Sequence, residues 1–258
     1  MSGNQLLTFG GHLEVLRKML FRIIVVMAVI SVTIFCFKDV IFEMLLAPSN
    51  WDFVTYRWAE HMMNVCGIDF HFNQYEVKLI ATGLSSQFMT HITTSIYLGL
   101  LLCSPYILFE LFKFISPALY DNEKKYSYYV VVSIYILFVV GVLMNYFIVF
   151  PIAFRFLGTY QVNDSVISNI TIDSYISSFT SLTLVMGLVF QLPTISFFLA
   201  KMHVLSSSFM KTYRKHALII CMIVSAIITP PDIMTLILVS VPLYFLYEVS
   251  IWVVTMTK

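Results

Sequence analysis

Two clusters of charged residues in this chain have the types and spacing to recognise a ligand. In the stretch SPYILFELFKFISPALYDNEKKY, aromatics lead into Asp121, Glu123, Lys124 and Lys125. Carboxylates hold guanidinium groups through paired, charge-assisted hydrogen bonds, so an acidic site beside aromatics at a membrane interface suits an Arg-bearing peptide. The plainer alternative is that Pro105 and Pro117 shape helix ends and the charges form a water-exposed turn. Near the N-terminus, a helix would set Leu13, Leu16 and Leu20 on one face and Glu14, Arg17 and Lys18 on the other. Glu14 can pair with Arg17 or Lys18 at i+3 or i+4, which by itself is a surface ion pair of little energy.

Polar groups inside apolar runs form a second set of candidates, because ionisable side chains at membrane depth are costly and tend to serve function. His91, Glu110, Gln191 and Glu248 qualify. Glu110 and Glu248 lie near the ends of their segments, where reaching the interface is a sufficient account of them. Gln191 sits between Phe190 and Leu192 in deep apolar sequence and must find a partner or line a wet cavity.

The elements that position these residues are membrane spans. Of 258 residues, 59% are hydrophobic and 11% charged, with a mean hydropathy of +0.88, which excludes an ordinary soluble domain. A spanning helix needs about 20 apolar residues. Residues 19–37, 88–109, 128–150 and 176–200 fit, and the block 217–256 is broken at Thr229, Pro230, Pro231 and Asp232 into a hairpin with a first arm at 217–228. Six spans with both termini inside would place Arg17, Lys18, Arg22, Lys113, Lys124, Lys125, Lys201, Lys211, Arg214, Lys215 and Lys258 on one side. Only Lys38, Arg57, Lys78 and Arg155 fall on the other. That is the bias of an N-in, C-in protein. The expected fold is all-α: one integral membrane domain over residues 1–258, six transmembrane helices, with short fifth and sixth helices. The connection 38–87 is too long for a simple loop, and part of it is expected to fold against the membrane surface.

Net charge near zero gives no pull on nucleic acid. No Walker loop, paired haem-ligating histidines, metal-ligand spacing or intramembrane nucleophile motif is present, so neither an enzyme nor a cofactor or metal is expected. Cys36, Cys66, Cys103 and Cys221 are scattered and are expected to be free thiols. A six-span secondary transporter or channel is the alternative class, although inverted repeats are absent. The N-terminus lacks a cleavable leader pattern and is expected to belong to the mature protein.

Several strings together resemble the TatC family. HLEVLRKML resembles its N-terminal His-Leu-x-Glu-Leu-Arg pattern, and SPYILFELFKFISPALYDNEKKY its first cytoplasmic loop. NYFIVFPIAFRFL, GLVFQLP, TYRKHALI, TPPD and VPLYFLYEVSI follow in the family's order, most weakly matched between residues 39 and 80. The resemblance implies a receptor and core subunit of the twin-arginine translocase, which binds twin-arginine signal peptides and organises transport of folded precursors driven by the proton-motive force. By position, Glu123 matches the loop glutamate for the twin arginines, Phe114 and Pro117 its neighbours, and Arg17 the N-terminal arginine. Val15 stands where the family has its N-terminal glutamate, with Glu14 one residue earlier. Gln191 matches a glutamate-or-glutamine position of the fourth span that docks partners, and Glu248 is a second polar docking candidate. Implied partners are twin-arginine precursors and small single-span TatA- or TatB-like subunits, in a homo-oligomer or larger complex. The aromatic load, with 23 Phe and 15 Tyr, directs the expected location to the mitochondrial inner membrane, with the bacterial cytoplasmic and thylakoid membranes as alternatives.

Overall fold

Hydrocarbon offers no hydrogen-bond partners, so apolar runs of this length satisfy their backbone by coiling. The structure is a computed structural model that describes residues 9–65, 67, 78–115, 127–160, 163, 169–229 and 232–257. Its helices are α1 Phe9–Cys36, α2 Lys38–Leu46, α3 Val54–Val65, α4 Ser86–Ile115, α5 Ser127–Met144, α6 Phe150–Thr159, α7 Ile172–Val189, α8 Leu192–Lys201, α9 Ser207–Thr212, α10 Arg214–Ile228 and α11 Ile233–Met256. Two two-residue strands, β1 Leu79–Ile80 and β2 Ile170–Thr171, pair in parallel with Leu79 opposite Ile170. Among the described residues, five segments are long and apolar enough to cross a membrane: Leu13–Cys36, Ser86–Leu111, Val131–Thr159, Ile172–Lys201 and Ile233–Met256.

The chain divides into two compact units, Met1–Lys38 with His91–Tyr135, and Asp39–Thr90 with Ile136–Lys258. In the first, Met19, Ile23 and Ile34 of α1 are buried, and Cys103 Sγ of α4 lies 4.0 Å from the Ile23 carbonyl oxygen. The amphipathic N-terminal segment and the first span form one continuous helix. Along it Leu13 and Leu20 are exposed while Met19 is buried. Gly99 permits the close approach of the two helices: a Cβ there would meet Ser31 Oγ at 1.9 Å. Pro105 lies inside α4 rather than at its end. The proline removes the amide that would bond the Leu101 carbonyl, and the Ser104 hydroxyl donates to that carbonyl instead at 2.6 Å, so the helix continues to Ile115.

In the second unit, α5 and α7 cross at glycines. A Cβ on Gly141 would meet the Met186 carbonyl oxygen at 2.7 Å and the Gly187 Cα at 3.0 Å. One turn along each helix, the buried Asn145 side-chain amide donates to Thr183 Oγ1 at 2.7 Å. The third span then passes through a π-helical turn, Asn145–Val149, before Pro151 at the start of α6. An aromatic cluster of Phe150, Phe154, Tyr175 and Phe179 packs edge to face with centroids 4.9 to 5.1 Å apart across α6 and α7. The long connection folds onto this cluster. Tyr146, Tyr175 and Tyr56 hydroxyls donate at 2.8 Å to the carbonyls of Met44, Leu45 and Pro151.

The break between α10 and α11 falls where expected. Asp232 caps α11 by accepting from the Thr235 amide at 2.7 Å, and Ser240 donates to Ser225 at 3.0 Å between the two helices. Helix α10 has 15 residues, a rise of about 22 Å, less than the roughly 30 Å of hydrocarbon. Helix α11 has 24 residues, about 36 Å, so the expectation of a short sixth helix is corrected. Its run 233–256 is mostly apolar, with Glu248 its one charged residue and Pro242 inside the helix.

Replacing Gly141 with Val forces side-chain atoms against backbone, and should lower stability by about 1–3 kcal/mol. Gly83→Ala meets only Ser86 Cβ at an ordinary 3.6 Å and should be neutral. Thermal unfolding in detergent compares the two; an unshifted midpoint for Gly141→Val would mean that α5 and α7 separate at no cost.

Candidate functional site

The charged start of α1 is ordered as one helical face. Lys18 Nζ donates to Glu14 Oε1 at 2.6 Å, with both side chains about two-thirds exposed, so solvent screens the pair and it adds little stability. Glu14, Arg17, Lys18, Phe21 and Arg22 line one open concavity. Glu14 and Arg17, three residues apart, therefore share it, and the one-residue offset of Glu14 does not carry it away from Arg17. Arg22 Nη2 lies 3.3 Å from Glu110 Oε2 of α4. The other Glu110 oxygen accepts from the Tyr106 hydroxyl at 3.1 Å. Glu110 is only 4% exposed, which corrects the view that it merely reaches the interface.

Phe114 stands on the last turn of α4 and is half-buried. Pro117 and the cluster Asp121, Glu123, Lys124 and Lys125 lie outside the described residues.

Gln191 lies at the junction of α7 and α8, where Pro193 occupies the first turn of α8. It is buried at 4% exposure; its backbone N–H donates to the Leu188 carbonyl and its backbone carbonyl accepts from the Ile195 N–H, both within 3.0 Å. The apolar run therefore bends into two helices at this residue. Glu248 of α11 accepts from Arg214 of α10 at 2.7 Å and from Tyr244 at 3.1 Å. Histidine 91 stacks on Phe35, with ring centroids 4.1 Å apart. Cys36, Cys103 and Cys221 are free thiols, the last two buried.

A family model described as Sec-independent protein translocase protein (TatC) matches residues 11–242. The chain belongs to the TatC family. The TatC protein of Blattabacterium sp. subsp. Periplaneta americana is 34% identical over 249 residues, covering 95% of this chain and 94% of that protein. That of Carboxydothermus hydrogenoformans is 32% identical, covering 98% of this chain and 94% of its own. The crystal structure of a twin-arginine translocase receptor, TatC, superposes with a TM-score of 0.73 at 30% identity, covering 95% of this chain and 99% of that one.

As a TatC-family protein, the chain is an integral membrane component of a protein-transport system and not an enzyme. The transporter alternative is left without a supporting observation. The mitochondrial expectation finds no support either, since these relatives are bacterial; the Phe and Tyr load reflects composition alone.

Within this TatC fold, Glu14 and Arg17 line the same concavity on α1, Gln191 lies at the α7–α8 junction and Glu248 on α11. Arg22 is the residue the sequence reading missed. Its partner Glu110 was visible as a carboxylate in an apolar run, but no local pattern links positions so far apart in the chain.

The Arg214–Glu248 pair is partly exposed, at 46% and 33% for the two side chains. A double-mutant cycle with Arg214→Gln and Glu248→Gln should give a coupling of about 0.2–1 kcal/mol. A coupling well above that range would show the pair to be shielded from solvent.

Proposed function

We infer that the chain is the receptor subunit of a twin-arginine translocase in a bacterial cytoplasmic membrane, a single integral domain of six spans with both termini inside. The observation that carries this is the likeness, over 95% of the chain, to the crystal structure of such a receptor. The Lys and Arg bias supports the orientation. The span that completes this count beside the five long apolar segments is α10, fifth in chain order, whose shortness is met by local thinning of the bilayer, by Arg214 and Lys215 reaching the interface, or by partner helices.

Glu123 is the residue that engages the paired arginines of the signal peptide, because a carboxylate offers them bidentate acceptors. Phe114 and Pro117 flank it in sequence, and Glu14 and Arg17 complete the site from α1. Transport is driven by the proton-motive force through TatA- or TatB-like subunits in a larger complex, since the sequence carries no nucleotide cradle. Gln191 and Glu248 are the polar positions at which such partners dock. An amide cannot titrate, so Gln191 would act by hydrogen bonding alone.

Glu123→Lys should weaken binding of a twin-arginine peptide to the purified protein by more than about tenfold while leaving the thermal midpoint unchanged. Parent-like affinity would remove Glu123 from the site. Gln191→Leu should leave peptide affinity intact and lower co-purification of the single-span partner, through loss of an interaction worth about 1 kcal/mol in a membrane. Undiminished recovery would reduce Gln191 to a packing residue.

A further inference from the structure

We propose that Glu110 is a positioning residue for the receptor face of α1: its buried carboxylate grips Arg22 and fixes the rotation of α1, so that Glu14 and Arg17 are presented in one orientation. This rests on the signal-peptide reading above. A carboxylate this deeply buried is expensive to desolvate, and an apolar side chain of similar volume would serve stability as well or better. What an apolar side chain cannot supply is a directional contact. Both Glu110 oxygens are committed, one to Tyr106 on its own helix and one to Arg22 across to α1. Tyr106 stands one turn earlier on the same helix, so it orients the carboxylate before Arg22 meets it.

The remaining α1–α4 contacts do not perform this role at the charged end. The Gly99–Ser31 approach and the Phe35–His91 stack lie on the later half of α1, about 14–20 Å along the helix from Arg22. Nearer the charged end, Met19 and Ile23 are buried apolar side chains and the Cys103 thiol lies 4.0 Å from the Ile23 carbonyl oxygen, a weak contact that permits small rotations. Arg22 sits one turn beyond Lys18, directs its Nε to the Lys18 carbonyl at 3.4 Å, and lines the same concavity as Glu14 and Arg17. Rotation of α1 about its axis would therefore break the Arg22–Glu110 pair and re-aim Glu14 and Arg17 together.

The test uses the full-length protein in nanodiscs, with spin labels at the exposed positions Leu13 of α1 and Leu111 of α4. Glu110→Gln should broaden the label-to-label distance distribution and weaken twin-arginine peptide binding about tenfold, with an unchanged thermal midpoint. Tyr106→Phe, which removes one hydroxyl, should do the same to a smaller degree. The double change Arg22→Gln with Glu110→Gln, whose amides can bond each other, should restore part of the affinity and narrow the distribution. An unchanged distribution in Glu110→Gln overturns the proposal, as does a loss of binding that only follows a loss of folded protein. If the parent protein binds no peptide while the distribution still broadens in Glu110→Gln, the receptor reading fails and the positioning of α1 by Glu110 stands.

Discussion

A carbonyl freed by a proline at membrane depth must be met from within the protein, and the spans of this chain carry several prolines. Two of them are answered by a hydroxyl. Pro105 withdraws the partner of the Leu101 carbonyl, and Ser104 next to it supplies a donor; α4 therefore reaches Ile115 and carries Phe114 on its last turn. Pro151 withdraws the partner of the Phe147 carbonyl. There the donor is the Thr55 hydroxyl of α3, far away in sequence, and the π-helical turn ahead of Pro151 opens the backbone enough to admit it. The second solution has a consequence for the fold. The long connection must be held against α6 for the span to be satisfied, and the hydroxyls of Tyr56, Tyr146 and Tyr175 fasten it there.

Packing between spans follows from the same solvent. Lipid tails are as apolar as leucine, so helices gain from close approach and from polar contacts rather than from hydrophobic burial. Gly141 faces Gly187, and Asn145 faces Thr183. Stepping one turn forward on α5 corresponds to one turn back on α7, the register of an antiparallel crossing. The small residues bring the backbones together, and the amide–hydroxyl bond keeps them from sliding. The wide exposure of α1, with Phe21, Val29 and Val32 all more than half accessible, is ordinary for a helix that faces lipid.

The spans were legible because their signal is local: an apolar run bounded by charge needs no knowledge of partners. Their ends were less so. The sequence of α1 changes from amphipathic to uncharged and largely apolar after Arg22, yet the helix continues through that change, and one helix results instead of two. Pro105 reads as a helix end until the Ser104 hydroxyl is counted. A short sixth helix follows only if both arms of the hairpin are treated alike, whereas residues 233–256 carry a single charge, Glu248, in an otherwise uncharged run long enough to span. Among the candidate residues, Glu14, Arg17, Gln191 and Glu248 could be singled out by type and position. Their partners could not, since Arg22–Glu110, Asn145–Thr183 and Arg214–Glu248 join residues 88, 38 and 34 positions apart. Two-residue strands such as β1 and β2 leave no periodic trace.

One device occurs twice. In α4, Tyr106 donates to Glu110 one turn later and Arg22 from an earlier helix takes the second oxygen. In α11, Tyr244 donates to Glu248 and Arg214 from α10 takes the second oxygen. The chemistry is the same, but the surroundings differ: the Glu110 side chain is 5% exposed and that of Glu248 33%. A carboxylate at the depth of Glu110 has nowhere else to turn when its arginine is lost, so the contact is held in one geometry. Glu248 and Arg214 can each exchange the other for water or a lipid headgroup at little cost. The α10–α11 pair is thus suited to a contact that can rearrange, and the α1–α4 pair to one that stays fixed, as the proposed peptide-binding role of α1 requires.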